Sequence, residues 1–185
     1  MTLIPAWIDG KLVPAEKLDV HKRGLRHKAV SVFVICDGEI LIQQRALSKY
    51  HTPGLWANTC CTHPEWNEPS LDCAHRRLSE ELGIFGIDLE HRGQVEYRAD
   101  VGGDLIEHEL VDVYLARPAS RPETSPNPDE VMALKWVSYS DLLREISDDS
   151  DRFTPWLRIY IETYASQILG RSAYCRDSKA KSGQF

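Results

Sequence analysis

Excess positive charge, long apolar runs and an even set of cysteines are all missing from this chain, and each absence narrows what it can be. The formal net charge is −6, so no nucleic-acid surface is expected, although a local basic pocket for an anionic small molecule is compatible with that total. The longest apolar run, Val30 to Cys36, contains a serine and falls far short of a bilayer span, so no membrane partner is expected. The opening MTLIPAWIDGK lacks a basic stretch followed by an apolar one, so no secretory signal is expected and the cytoplasm is the expected compartment. Five cysteines, at 36, 60, 61, 73 and 175, are odd in number, and the adjacent pair is poorly placed to bridge with itself, which is the pattern of free thiols. There is no internal repeat, heptad array or low-complexity segment.

What is present fits one globular domain. A chain of 185 residues with 42% hydrophobic and 27% charged residues can bury a sizeable core and is short for two. The expectation is a single domain over 1–185, with a core of about 16–170 and a loose tail over 171–185. KAVSVFVICDGEILIQQR reads as two strands joined at Asp37-Gly38, a hairpin over 28–45, and LWANTCC as a further short strand. Leu71, Ala74, Leu78 and Leu82 recur at helical spacing, predicting a helix from Ser70, as cap, to a stop at Gly83. Strands are expected near 91–99 and 104–116, turning at Gly102-Gly103, then an exposed loop through the prolines of 118–128, and a strand at EVMALKWV. A short helix after Ser138 and a longer one capped by Thr154, with Pro155 in its first turn and Gly170 at its end, complete a mixed sheet flanked by helices.

The chemistry-bearing residues cluster by parity. In DLIEHELVDVY, Leu105, Glu107, Glu109, Val111 and Val113 share one face, since side chains two apart in a strand point the same way. Buried, those two carboxylates need a compensating cation. With the strand turned over, Ile106 and Leu110 face the core and both glutamates face water. Partners are at hand: His63 lies two residues beyond Cys61, and His21 and His27 flank the first hairpin strand. Three histidines and two glutamates suit Mg²⁺, Mn²⁺ or Zn²⁺. His51, His75, His91 and His108 are read as ordinary surface or core residues, and Cys60, pointing opposite to Cys61, as packing. Glu81 lies beside the apolar helical stripe with Arg77 one turn before it, as an ion pair or as the edge of a site. Lys17, Arg45, Lys49 and Arg77 are either solvated surface cations or the holders of a diphosphate.

THPEWNEPSLDCAHRRLSEELGI resembles the Nudix box, with Thr62 at its first glycine, then Glu68, Arg76, Leu78, Glu80, Glu81, Gly83 and Ile84. Arg77 stands at a glutamate position that Nudix hydrolases use for metal, which argues against hydrolysis. The ordered stretches RALSK at Arg45–Lys49, C-x-H-P at Cys61–Pro64, Tyr97–Ala99, Glu107–Glu109 and Thr154–Trp156 are similar to those of the type I isopentenyl-diphosphate isomerases, over roughly 16–157. The resemblance implies a Nudix-like α+β fold that acts on a small diphosphate, and a monomer is expected. It implies one divalent metal among His21, His27, His63, Glu107 and Glu109, and a Mg²⁺ brought with the substrate and held by Glu81. It also implies phosphate contacts from Lys17, Arg45, Lys49 and Arg77, an acid/base pair of Cys61 and Glu109, and further catalytic residues in Tyr97 and Trp156. Hydrolysis of a nucleoside diphosphate derivative, and non-catalytic binding of a diphosphate, are the competing readings.

Overall fold

The computed structural model describes residues 2–170, so the tail expected over 171–185 lies outside the described residues. A hairpin, β1 (Leu3–Ile8) and β2 (Lys11–Glu16), turns at Asp9-Gly10 and leads into the short helix α1 (Lys17–Arg23). None of these three elements is among those expected. The long strand β3 (Arg26–Cys36) and β4 (Glu39–Arg45) form the expected hairpin, with Asp37 and Gly38 both at positive φ (53° and 84°), as a two-residue turn that matches strand twist requires.

The stretch LWANTCC forms two short strands, β5 (Trp56–Ala57) and β6 (Cys60–Thr62), where one was expected. Helix α2 spans Ser70–Leu82. Its cap is Pro69 and not Ser70, whose hydroxyl is 2.7 Å from the Tyr114 hydroxyl and so is not free to cap. Leu71, expected on the buried stripe, is exposed, and Cys73 takes its place beside Ala74, Leu78 and Leu82. Gly83 ends the helix at φ 65°, and a Cβ there would stand 2.8 Å from Ser125 Cβ, because the 118–128 loop folds back and donates Ser125 N–H to the Leu82 carbonyl at 2.7 Å.

Strands β7 (Glu90–Asp100), β8 (Ile106–Ala116) and β9 (Val131–Ser138) follow, then α3 (Tyr139–Asp148), capped by Ser138. The long final helix begins as expected, with Thr154 as cap and Pro155 at its start, but it is not uniform. It runs as α4 (Pro155–Ile159), a π-helical turn (Tyr160–Tyr164) and α5 (Ala165–Leu169).

Strand β3 is the hub. It pairs in parallel with β8 and antiparallel with β1, β4 and β6, while β7 lies outside β8, β9 outside β4, and β2 outside β1. Side chains alternate across this mixed sheet. Ala29, Phe33 and Ile35 join Val111 and Val113 in a core under α3, α4 and α5, whereas Val30, Val32 and Val34 join Cys60 and Tyr114 in a core under α2. The architecture is a mixed sheet between helices, an α+β fold.

Candidate active site

Register alone brings the polar residues together. Strand pairing sets His27 beside Glu109, Ser31 beside Cys61, and Tyr97 beside Glu109, all on the face under α4. At this end of the sheet the apolar core gives way to a polar cavity. Glu107 and Glu109 are 3% and 1% exposed, so they face inward, whereas Ile106 and Leu110 are only partly buried and the turned-over reading of β8 does not hold.

Three histidines converge on Glu109. His21, on α1, donates Nδ1–H to the Lys17 carbonyl at 2.6 Å, and His27 donates Nδ1–H to the Leu25 carbonyl at 2.7 Å. Those bonds fix the tautomers, leaving each Nε2 with a lone pair. His27 Nε2 faces His63 Nε2 at 3.2 Å and Glu109 Oε1 at 3.5 Å, while His63 Nε2 is 2.9 Å from the same oxygen and His21 Nε2, also buried, has no hydrogen-bond partner. The His63 ring alone has a proton to bring to this cluster of lone pairs, and a cation satisfies all of them at once. The ligand atoms of His21, His27, His63 and Glu109 lie within 4.8 Å of one another, which fits a divalent ion. Glu107 falls instead in an adjoining group with His21 and His51.

Electrostatics separates the two carboxylates. Burial and the charge of Glu109 push Glu107 well above the usual carboxylate range. Burial acts the same way on Glu109, but the imidazoles of His27 and His63 beside it outweigh burial and hold Glu109 well below that range. The Tyr97 hydroxyl, 2.6 Å from Glu109 Oε2 and 3.2 Å from Glu107 Oε2, ties the pair together. Burial, then Glu109 and Glu107, raise the Cys61 thiol, and burial lowers His63. Cys61 Sγ accepts from the Ser31 hydroxyl at 3.3 Å, and Ser31 in turn lies 2.9 Å from the Tyr160 hydroxyl, which the π-helical turn brings over the sheet. Cys60 points the other way into the α2 core, as parity requires.

Cations ring the cavity mouth. Lys17, Arg45, Lys49 and Arg77 all line it, with Cys61, His63, Glu81, Glu107, Glu109 and Trp156. Lys17 Nζ lies 5.5 Å from the Tyr50 ring centre, and the other three are hydrogen-bonded. Arg77 donates to Glu81 at 2.6 Å and to Glu130 at 3.2 Å, Lys49 pairs with Glu130, and the Arg45 guanidinium donates to the carbonyls of His51 and Thr52. Glu81 accepts a further bond from Gln43 at 3.1 Å. Arg77 is thus ion-paired with Glu81 and also lines the cavity. Burial, then the charges of Lys49, Arg77 and Arg45, lower the pKa of Lys17 to about 8. The indole of Trp156, 1% exposed, forms a wall with the Arg45 guanidinium 5.3 Å from its centre.

Sequence reasoning missed several members. His51, read as an ordinary histidine, is 6% exposed and lines the cavity, a correction that only the return of the 46–55 loop over the site explains. Ser31, Gln43, Tyr50, Glu130 and Tyr160 also touch the site or its lining, and no local spacing marks them. His75 is exposed, while His91 pairs with Asp112 and His108 faces Glu96, all three away from the cavity as expected. The network of Arg76 with Glu68 and Glu80 braces α2 outside it.

The NUDIX domain model matches residues 25–157. An isopentenyl-diphosphate Delta-isomerase of Ruegeria pomeroyi is 58% identical over 91% of this chain and 93% of its own length. One from Roseobacter denitrificans is 57% identical over 92% and 97%. Among solved structures, a Deinococcus radiodurans protein superposes with TM-score 0.69 at 15% identity, covering 88% of this chain and 98% of its own, a likeness of fold. A MutT NUDIX hydrolase from Burkholderia pseudomallei gives 0.59 at 26% identity, covering 75% and 98%.

Proposed function

The chain belongs to the NUDIX family and, within it, to the isopentenyl-diphosphate Delta-isomerases, and from that premise we propose how its cavity moves the double bond of isopentenyl diphosphate to give dimethylallyl diphosphate. The observation that carries the reading is the convergence of a partly buried thiol, a buried carboxylate pair and a histidine cluster beneath a ring of cations. The reaction adds a proton to an unactivated alkene carbon and removes another two carbons away, passing through a tertiary carbocation. Two proton carriers on opposite sides of a water-poor site are what it needs.

In our reading these are Cys61 and Glu109. Burial keeps the proton on the Cys61 sulfur, and the histidines keep Glu109 ionised, so the free protein holds one acid and one base. Tyr97 fixes the carboxylate by donating to it. The Trp156 face stabilises the cationic carbon by cation–π attraction and does not react with it. Lys17, Arg45, Lys49 and Arg77 bind the diphosphate, the last three with donors already oriented by their partners.

His21, His27, His63, Glu107 and Glu109 would hold a divalent ion, Mn²⁺, Mg²⁺ or Zn²⁺, and Glu81 a Mg²⁺ that enters with the diphosphate. Bound metal supplies fixed positive charge that offsets the buried carboxylates and draws in the substrate. Arg77 in place of a carboxylate disfavours hydrolysis of a nucleoside diphosphate derivative. We take residues 1–185 to form one domain, monomeric and cytoplasmic. No helix among the described residues is long and apolar enough to cross a membrane. The test is incubation with isopentenyl diphosphate and Mg²⁺ in deuterated water. Deuterium in the dimethylallyl product supports the proposal, and release of phosphate without isomerisation overturns it.

A further inference from the structure

We propose that His51 is a ligand of the same divalent ion, making the site a six-residue cradle of His21, His27, His51, His63, Glu107 and Glu109. The inference rests on the metal centre in the reading above and extends it to a residue that the family resemblance does not include. Two overlapping ligand groups carry it. One is His21, His27, His63 and Glu109, the other His21, His51 and Glu107, and in each the ligand atoms lie within 4.8 Å of one another.

They share His21, and His21 has only one nitrogen to give. Its Nδ1–H is committed to the Lys17 carbonyl, so the buried, unpartnered Nε2 can serve a single ion. An ion on that nitrogen adjoins both groups; the six ligand atoms do not all lie within 4.8 Å of one another, so gathering both requires the side chains to close in, and it would bring four nitrogens and two oxygens to the ion. His51 is presented for this. Its Nδ1 lies 3.1 Å from the Thr52 hydroxyl, which fixes the ring with Nε2 toward Glu107 Oε1 at 3.6 Å, and the ring stacks on His21 at 5.8 Å and 23°.

The backbone that carries His51 is held in an unfavourable state. Thr52 sits at φ 46°, a region β-branched residues avoid, and the buried Arg45 guanidinium pins it there through the His51 and Thr52 carbonyls, at 3.1 and 3.2 Å. Such a corner aims the imidazole inward. Two consequences follow for the ion. Four imidazoles favour Zn²⁺ or Co²⁺ over Mg²⁺, which prefers oxygen. Side chains in place of water around such an ion would also keep a nucleophile away from the carbocation.

Zinc alone is the probe, followed by long-range ¹H–¹⁵N NMR of the histidine rings in the unaltered protein. The His51 signals are identified by their loss in His51→Leu, and exposed His75 serves as the internal control. At one equivalent of Zn²⁺ the expected result is a coordination shift of Nε2 in His21, His27, His51 and His63 together, with His75 unmoved. In His51→Leu, Zn²⁺ affinity measured against a chelator should drop about tenfold or more. If His21, His27 and His63 shift while His51 does not, His51 is no ligand although the metal centre stands. If none of the four shifts, the metal centre itself is wrong.

Discussion

Cys60 and Cys61 are chemically identical neighbours, and the pleat of β6 gives them different surroundings: a core of valines and leucines for one, carboxylates and a serine hydroxyl for the other. Cys61→Ala is therefore expected to cost about 10²–10⁴-fold in isomerisation rate, the usual worth of a positioned proton carrier. Cys60→Ala should keep most of the activity and lose about 1 kcal/mol of stability. Steady-state rates with thermal melts check this, and equal rate losses in the two variants would refute it. Lys17 is the residue whose charge is nearest to a switch, with a pKa of about 8. Its protonated form attracts a diphosphate, so kcat/KM should be full below pH 8 and fall above it, as the free enzyme loses that proton. Lys17→Arg, charged throughout, should lack this limb of the pH profile; persistence of the limb would assign it to another group. At this scale parity in a strand paired Cys61 with His63 and Glu107 with Glu109, but it did not say which face of β8 is buried. It was silent on His51 and Tyr160, which arrive through a loop and a π-helical turn that no periodicity announces.

Among the elements, α2 shows how one helix serves core and site together. Its stripe of Ala74, Leu78 and Leu82 is sealed into the second core, and the adjacent edge carries Arg77 and Glu81 to the cavity. Arg77 also bonds Glu80, Glu81 and Glu130, so reversing its charge leaves three carboxylates without a shared cation and repels a diphosphate. Arg77→Glu is expected to raise KM by about tenfold or more, the worth of at least one charge-assisted hydrogen bond, without release of phosphate. Unchanged KM would return Arg77 to a purely structural role. The β3–β4 hairpin, α2 and β8 were legible because turn chemistry and periodicity agreed there with the fold. The first hairpin carries the same Asp-Gly signal at Asp9-Gly10, but its flanking strands include two prolines, Pro5 and Pro14, opposite one another, which masks the strand pattern.

For the molecule as a whole, two cores meet at one strand. Order along the chain pointed to a mixed sheet between helices, yet nothing local stated that β3 and β8 run in parallel, since that pairing joins residues some eighty positions apart and depends on every other strand being in place. The metal-ligand geometry belongs to this scale too: His21, His27, His63 and Glu109 come from a helix and three different strands or their ends. Strand β3 feeds valines to one core and Ala29, Phe33 and Ile35 to the other, with hydrogen-bonded neighbours on both sides. That shared strand makes the two halves a single unit of cooperativity, because neither can open without breaking the packing of the other. Amide protons from Val30 to Val34 should consequently exchange with solvent only through global unfolding, at one common rate ceiling, and slower than those of β2 or α3. Hydrogen exchange followed by mass spectrometry measures this directly; separate exchange classes for alternate β3 amides would mean that the cores unfold independently.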